Sequence, residues 1–446
     1  MTRHWTGTEN TWIDYLVPDK RPAERVKNEN YDILYLPTKR YWFNDFLTDH
    51  PWARWIFGNP YFLILAFLGR FNTEVDVYLS FKKQLELELK QHAYDAVLIS
   101  SPPSNVLELI KVVRKHSKAL VIADFRDLWN NLILSENYRP GLKQRVWDYF
   151  YAAYYKKWLK RADLVTVIIE PFAEVLGKLT QASIEVVYNG FESTMFSRLK
   201  KQESGRFIFS IVGSIYPEQD LTILLDGLRD FLKDKSADKV QLRFIGVSSL
   251  PKVAEMIRTS VPEEFLYISG RVPKEEALQE TLNAHVLFYS GWKGVRGMVS
   301  TKVFDYIASG NFVLIAPGDG DVLDKIVKEC ESGCAVNSKE EFLKVINELY
   351  DEWSENGSLR PRGNKEKVEK YSRESQAERM ASLIRNLVTE RSQKSFTEVT
   401  TKPSGLNMLA AFVRKTFGSG PGLFFCSFFM CVLNTDSMLF NQLPYL

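Results

Sequence analysis

Two short segments of this chain carry side chains whose types and spacing could do chemistry. The first is Gly294-Val-Arg-Gly-Met-Val-Ser-Thr-Lys-Val-Phe-Asp-Tyr-Ile-Ala-Ser-Gly310. It reads as a glycine-containing loop after an apolar run ending at Tyr289, then a helix opening near Ser300, with Gly310 as its stop before Phe312-Val-Leu-Ile315. A helix amino end that faces a cleft offers free N–H groups and a positive dipole end to a diphosphate. Lys302 in its first turn and Arg296 in the loop would add positive charge, and Asp305 one turn further on could accept hydrogen bonds from ribose hydroxyls. The second segment, Ala119-Leu-Val-Ile-Ala-Asp-Phe-Arg-Asp-Leu-Trp129, places Asp124, Arg126 and Asp127 just past a buried strand. A carboxylate there could orient or deprotonate an acceptor hydroxyl, and Arg126 could pair with a leaving phosphate or an acidic acceptor. A purely structural Asp cap with an Arg–Asp pair fits the same residues.

Such groups need elements to hold them, and the hydrophobic pattern supplies a regular set. Between about residues 94 and 190, apolar runs alternate with amphipathic ones: Ala96–Ser100, a helix from Asn105 to His116, Ala119–Ala123, then Leu164–Ile169. A second series starts at Phe207–Gly213. It continues with a helix over Leu221–Lys233, Gln241–Gly246, a helix near Ala254, Phe265–Ile268, a helix over Lys274–Asn283, His285–Tyr289, a helix over Thr301–Ser309, and Phe312–Ile315. Short β-rich runs alternating with helices predict parallel sheets covered on both faces. The expected fold class is therefore α/β, with two Rossmann-like doubly wound domains facing across a cleft. Ligands of such folds sit outside the carboxyl ends of the strands, where both segments lie. The predicted layout is residues 1–191 as the first domain, a polar linker over 192–205, the second domain over 206–370, a closing helix over 371–392, and a poorly ordered tail over 393–446 without strand–helix alternation.

Composition narrows the partners. The 446 residues can bury two cores, and a formal net charge of +3 is too small to imply nucleic-acid binding by bulk electrostatics. Cys330, Cys334, Cys426 and Cys431 lack the spacing of a disulfide framework or zinc site and read as buried thiols in a reducing compartment. His92, His116 and His285 have no carboxylate or cysteine partners at ligand spacing, so no metal site is expected. The first thirty residues lack a signal-peptide pattern, and the apolar stretches 61–68 and 423–433 are too short to span a bilayer. Trp52–Phe71, with Arg54 and Arg70, mixes aromatics and cations as an interfacial surface does. Lys143, Arg145, Lys156, Lys157, Lys160 and Arg161 similarly interleave with Trp147, Tyr149, Phe150, Tyr154 and Trp158, where a solvated helix with core aromatics is the equal alternative. Ser100-Ser-Pro-Pro-Ser104 follows a strand and is read as a shaped turn or an acceptor contact. Gly418-Ser-Gly-Pro-Gly422 follows no strand, and its proline lacks an N–H that a phosphate would need.

The string Ser300-Thr-Lys-Val-Phe-Asp-Tyr-Ile-Ala-Ser-Gly310 resembles the donor-site helix of family-four-like GT-B glycosyltransferases, in which an acid before an aromatic holds the nucleotide ribose. Other segments agree in order. Val187-Tyr-Asn-Gly-Phe-Glu192 is similar to that family's interdomain junction, and Ser210-Ile-Val-Gly-Ser214 to its first second-domain strand and phosphate-side loop. Gly270-Arg-Val-Pro-Lys-Glu-Glu-Ala-Leu278 is similar to its base-pocket turn, and Tyr371-Ser-Arg-Glu-Ser-Gln-Ala377 to the start of its closing helix. Asp124-Phe-Arg-Asp-Leu-Trp129 resembles an Asp-x-Arg-Asp-x-Trp signature of a subset of these enzymes. The resemblance covers about Trp5 to Val388. Two departures stand out: Gly297 occupies the position where members often carry a Glu eight residues before the ribose acid, and Ser214 with Glu218, Gln219 and Asp220 stands where many have an Arg and a Lys.

The resemblance implies a GT-B architecture and a glycosyltransferase that moves a sugar from a nucleotide-sugar donor to a glycan or lipid-linked acceptor. It implies retention of configuration, no metal or other cofactor, a place in cell-surface polysaccharide synthesis, and a cytoplasmic location with peripheral contact to the inner face of the membrane. Donor-binding residues would be Gly213, Ser214, Gly270, Arg271, Val272, Arg296, Ser300, Thr301, Lys302 and Asp305, and catalytic ones Asp124, Arg126 and Asp127. The opening Thr2-Arg-His-Trp-Thr-Gly resembles the segment just after the second strand in related transferases, so the first strand and its glycine-rich loop are expected to be missing. That leaves a truncated, non-catalytic homologue that only binds nucleotide or a partner as the alternative. A nucleotide-sugar epimerase on the same architecture finds no support in the Asp-Phe-Arg-Asp string.

Overall fold

The computed structural model describes residues 42–67 and 77–400, except 217–218, 248–249 and 293, together with short strands nearer both ends. The strands are β1 (His4–Trp5), β2 (Trp12–Ile13), β3 (Glu24–Lys27), β4 (Asp32–Tyr35), β5 (Ala96–Ser101), β6 (Leu120–Phe125), β7 (Leu164–Val167), β8 (Ser183–Val186), β9 (Phe207–Val212), β10 (Val240–Ile245), β11 (Leu266–Ile268), β12 (Val286–Tyr289), β13 (Phe312–Ile315), β14 (Gly333–Ala335), β15 (Phe424–Cys426) and β16 (Met430–Leu433). Two sheets hold all but β1 and β2, which pair with each other.

The second sheet has six parallel strands in the order β11-β10-β9-β12-β13-β14. Every residue of β9, Phe-Ile-Phe-Ser-Ile-Val, is buried. A strand covered on both faces cannot alternate apolar with polar, and a continuous apolar run is the result. Helices Thr222–Phe231 and Lys339–Asn356 pack on one face with Leu224, Leu228, Phe342 and Ile346, while Thr301–Ala308 covers the other with Val303, Phe304 and Ile307.

The first sheet has eight strands in the order β3-β4-β15-β16-β5-β6-β7-β8, of which β5 to β8 run parallel. Two features differ from expectation. β15 and β16 come from the tail expected to be disordered and without strands; they lie between β4 and β5, β15 parallel to β4 and β16 antiparallel to β5. Their residues belong to the apolar run at 423–433, whose length suits strands, not a spanning helix. The closing helix runs Arg373–Thr400, longer than predicted, and returns to the first sheet, setting Met380 and Ile384 against Ala96, Leu120, Ile122 and Leu164. The predicted linker contains a short helix, Ser193–Arg198. At the junction, Phe191 and Ser372 form a parallel bridge, and Arg373 donates to the Gly190 carbonyl.

Candidate nucleotide site and acceptor end

Counted from β9, the second sheet reads 3-2-1-4-5-6, so its order reverses between β9 and β12. At such a switch point the connections leave in opposite directions and open a crevice at the carboxyl ends. Gly213 and Ser214 follow β9 there; the loop 290–300 and the helix Thr301–Ala308 follow β12. Tyr306 fastens this helix to β9, its hydroxyl donating to the Val212 carbonyl at 2.9 Å and accepting from the Val212 amide at 2.8 Å.

Ser300 caps the helix in extended conformation, but its side chain makes no capping bond, and its buried Oγ has no partner. Thr301 beside it is exposed, so the amino end of the helix is not plugged. Lys302 crosses the crevice to donate to the Ser214 carbonyl at 2.6 Å, with its Nζ 5.7 Å from the centre of the Tyr289 ring. Among the described residues, Lys302 forms no ion pair, and burial pulls its ammonium down to about 8. A buried cation without a counter-charge is a cost that a bound anion would relieve. Gly213 is required here: its φ is +108°, and a Cβ would come within 2.7 Å of Lys302 Cδ.

Asp305 faces the turn after β11. Its Oδ2 accepts a hydrogen bond from Lys274, the first residue of the helix Lys274–Asn283. The structure thus brings Asp305 to the turn carrying Gly270, Arg271 and Val272, of which Arg271 is exposed and Val272 packs against the core. Lys274 lies in the same turn segment, Gly270 to Leu278, but its type and position do not mark it out in the sequence, because a cation in the first turn of a helix reads as solvated.

Arg296 differs from expectation. Its Nε and Nη2 both donate to Asp321 Oδ2, at 3.1 and 2.8 Å, and Asp321 also pairs with Lys325. The guanidinium is anchored at the start of the helix Val322–Glu329, not held as mobile charge for a phosphate. The loop around it reaches the first domain: Ser135 and Val295 form an antiparallel bridge, and Glu136 N–H donates to the Gly294 carbonyl. Gly297 has φ +70°, and a Cβ there would meet Pro171 Cγ at 2.6 Å. No side chain fits between the domains at this point, which accounts for a glycine where the resemblance offers a glutamate.

At the carboxyl end of β6, Asp124 is 1 % exposed and accepts three hydrogen bonds, from Ser100 Oγ (2.8 Å), Thr166 Oγ1 (2.8 Å) and Arg126 Nε (2.7 Å). Buried and holding three donors, Asp124 sits where it orients Arg126, Ser100 and Thr166, whereas its expected catalytic part would need it to face an acceptor. Arg126 Nη1 donates in turn to Asn189 Oδ1 at 3.2 Å, tying β6 to the interdomain junction. Asp127 is different. It lies at the surface and accepts a hydrogen bond from Asn131 Nδ2 at 2.9 Å, while the protein packed around it takes away part of its hydration and raises its carboxyl from the ordinary value. Trp129 Nε1 donates to Asp148, and Ser104 Oγ bonds the Tyr155 hydroxyl, so both serve the fold. His285, buried, accepts the Ile208 amide at Nδ1, and burial lowers it to about 4.

No protein-family profile matches this sequence, and no curated protein does. Among solved structures, the α,α-trehalose 6-phosphate synthase of Burkholderia multivorans superposes with a TM-score of 0.53, over 84% of this chain and 89% of that one, at 11% identity. The chain has the GT-B fold. A UDP-forming α,α-trehalose-phosphate synthase of Burkholderia vietnamiensis gives 0.52, over 83% and 92% of the two chains, at 10% identity. In the GT-B arrangement the crevice at β9 and β12 and the end of β6 lie on the sides that the Ser135–Val295 bridge joins.

Proposed function

We propose that this chain transfers a glycosyl group from a nucleotide-sugar donor to a glycan or lipid-linked acceptor, with retention of configuration and without a resident metal, in the making of a cell-surface polysaccharide at the cytoplasmic face of a membrane. The observation that carries the reading is Lys302: an ammonium buried at the switch point of a nucleotide-type fold, beside an open helix amino end, with no carboxylate partner among the described residues. As the bond between the sugar and the diphosphate breaks, negative charge grows on the departing oxygen. Lys302 and the free N–H groups at Thr301 would stabilise it in place, in a setting of low dielectric. Asp305 would take the ribose hydroxyls by exchanging Lys274 for them. Of the three candidates at β6, Asp127 is the one with capacity left to accept a proton from an acceptor hydroxyl, and its raised pKa suits that part.

The test is a titration of uridine, guanosine and adenosine diphosphate sugars into the full chain and into Lys302→Ala and Asp305→Ala. The expected result is a loss of about tenfold or more in each variant, as for a charge-assisted hydrogen bond. Unchanged affinity in both would exclude the site. A binding-only homologue is the second reading, favoured by Gly297 and by the fully bonded Asp124. Release of nucleoside diphosphate from a bound donor, abolished in Asp127→Asn, would reject it.

A further inference from the structure

The loops that follow β9 and β12 are fastened to each other. Gln219, buried, accepts from the Tyr216 amide at Oε1 (2.8 Å) and donates through Nε2 to the Ser290 carbonyl, while Ser290 Oγ donates to the Asp220 carbonyl at 3.0 Å. Gly291 lets the second loop lie against the one after β13, since a Cβ there would strike the Pro317 carbonyl. Two aromatic side chains are thereby set against each other, the rings of Tyr216 and Trp292 lying 5.6 Å apart at 34°. Tyr216 nevertheless stays 49 % exposed, and Trp292 is partly exposed. Large rings braced by buried hydrogen bonds yet left facing water suit a ligand better than a core. The pair also borders the crevice. Tyr216 lies two residues beyond Ser214, whose carbonyl holds Lys302 Nζ, and Trp292 lies three beyond Tyr289, whose ring is 5.7 Å from the same nitrogen.

We infer, on the donor reading given above, that Tyr216 and Trp292 are the platform on which the transferred sugar rests, a neutral pyranose laid with one C–H face against the rings. Asp305 and its partner Lys274 belong to the face of the sheet that the helix Thr301–Ala308 covers. Gln219 leads into the helix Thr222–Phe231, which covers the opposite face. A donor with its ribose at Asp305 and its diphosphate at Lys302 therefore carries its third part, the sugar, towards the pair, and leaves its base on the far side of Lys302. Pyranose C–H groups are slightly positive and the faces of aromatic rings negative, so the contact attracts. A carboxylate brought to the same faces is repelled. The sugars favoured are hexoses with one face free of axial hydroxyls and no acidic group on it.

The test is calorimetric titration of the full chain with matched ligands, a nucleoside diphosphate and its hexose ester. The sets are uridine diphosphate with its glucose, galactose and N-acetylglucosamine esters, guanosine diphosphate with its mannose ester, and adenosine diphosphate with its glucose ester. For the best-bound set, Trp292→Ala and Tyr216→Ala should each weaken the hexose ester about fivefold, the scale of one aromatic contact, and leave the plain diphosphate unchanged. Trp292→Phe should keep most of the affinity. Tyr216 is exposed, so its variant carries the test if removal of Trp292 disturbs the thermal melt. Equal losses for ester and diphosphate, or no loss for either, would overturn the proposal. Lys302→Ala separates it from the reading on which it rests, since that variant should weaken ester and diphosphate alike. If Lys302→Ala weakens neither while Trp292→Ala weakens the ester, the phosphate site is wrong and the platform stands. A wild-type chain that binds none of these ligands overturns both.

Discussion

The two strand ends that face each other in this molecule treat charge in opposite ways. At β6 the carboxylate of Asp124 is fully engaged: two hydroxyls and a guanidinium converge on it, and the guanidinium passes on to Asn189. At β9 and β12 the balance is left open, with Lys302 buried on a single carbonyl and Ser300 Oγ without any partner. A satisfied cluster stabilises and orients; an unsatisfied one stores a preference for something not yet bound. Both clusters look alike as sequence, a few charged residues after an apolar run. Only the partners tell them apart.

The contrast can be broken most directly at Asp124. Asp124→Ala takes away the shared acceptor of Ser100, Thr166 and Arg126 Nε and leaves a buried hole, and should lower the unfolding free energy by about 3–5 kcal/mol, measured by urea denaturation. Nucleotide affinity of the folded fraction should stay the same. Lys302→Met should do the reverse. Nucleotide binding falls by about tenfold or more on loss of a charged partner, read by calorimetry, while stability at neutral pH does not fall, since a buried charge has been removed.

Gly297→Ala probes the joint between the two ends. A left-handed backbone and the approach of Pro171 should together cost about 1–2 kcal/mol, visible as a lower urea midpoint, and Gly297→Glu should be no better at binding donor. The pH profile comes from the depressed Lys302. Its ammonium is protonated below a pKa of about 8 and neutral above it, so nucleotide affinity should be level on the acid side and decline as pH rises through that point, and Lys302→Arg should flatten the decline. By the same sign, the stability cost of burying this charge is present below about 8 and disappears towards 10.5, where the unfolded chain also loses its proton. The smallest effect is expected at Lys274. Releasing Asp305 from a partly exposed ion pair, worth at most about 1 kcal/mol, should raise nucleoside affinity in Lys274→Ala by no more than about fivefold.

Much of the second domain is legible in the sequence because its signals are local. The periodicity of Lys274–Asn283 and the β-branched run Phe312–Ile315 announce their own elements, and the helix from Thr301 can be placed by its cap and stop. Lys302 and Asp305 are visible for the same reason. The pairings that escape are decided by distant partners: Asp321 claiming Arg296, Lys274 claiming Asp305, and Ser100 with Thr166 closing over Asp124. Nothing within a few residues of these groups records such pairings. The strands β15 and β16 escape for a further reason, since β4 and β5, which they join, lie hundreds of residues away and their own apolar run is compatible with several structures.

Those two strands also set an order of events during synthesis. β16 supplies the neighbour of β5, yet it leaves the ribosome long after the rest of its sheet. Until then β5 presents a bare row of amides and carbonyls, a template for any other chain in extended form. The first half of this protein should therefore wait for the segment holding β15 and β16 before it closes, and a stop codon placed ahead of that segment would show first as aggregation in the cell, before any loss at the nucleotide crevice.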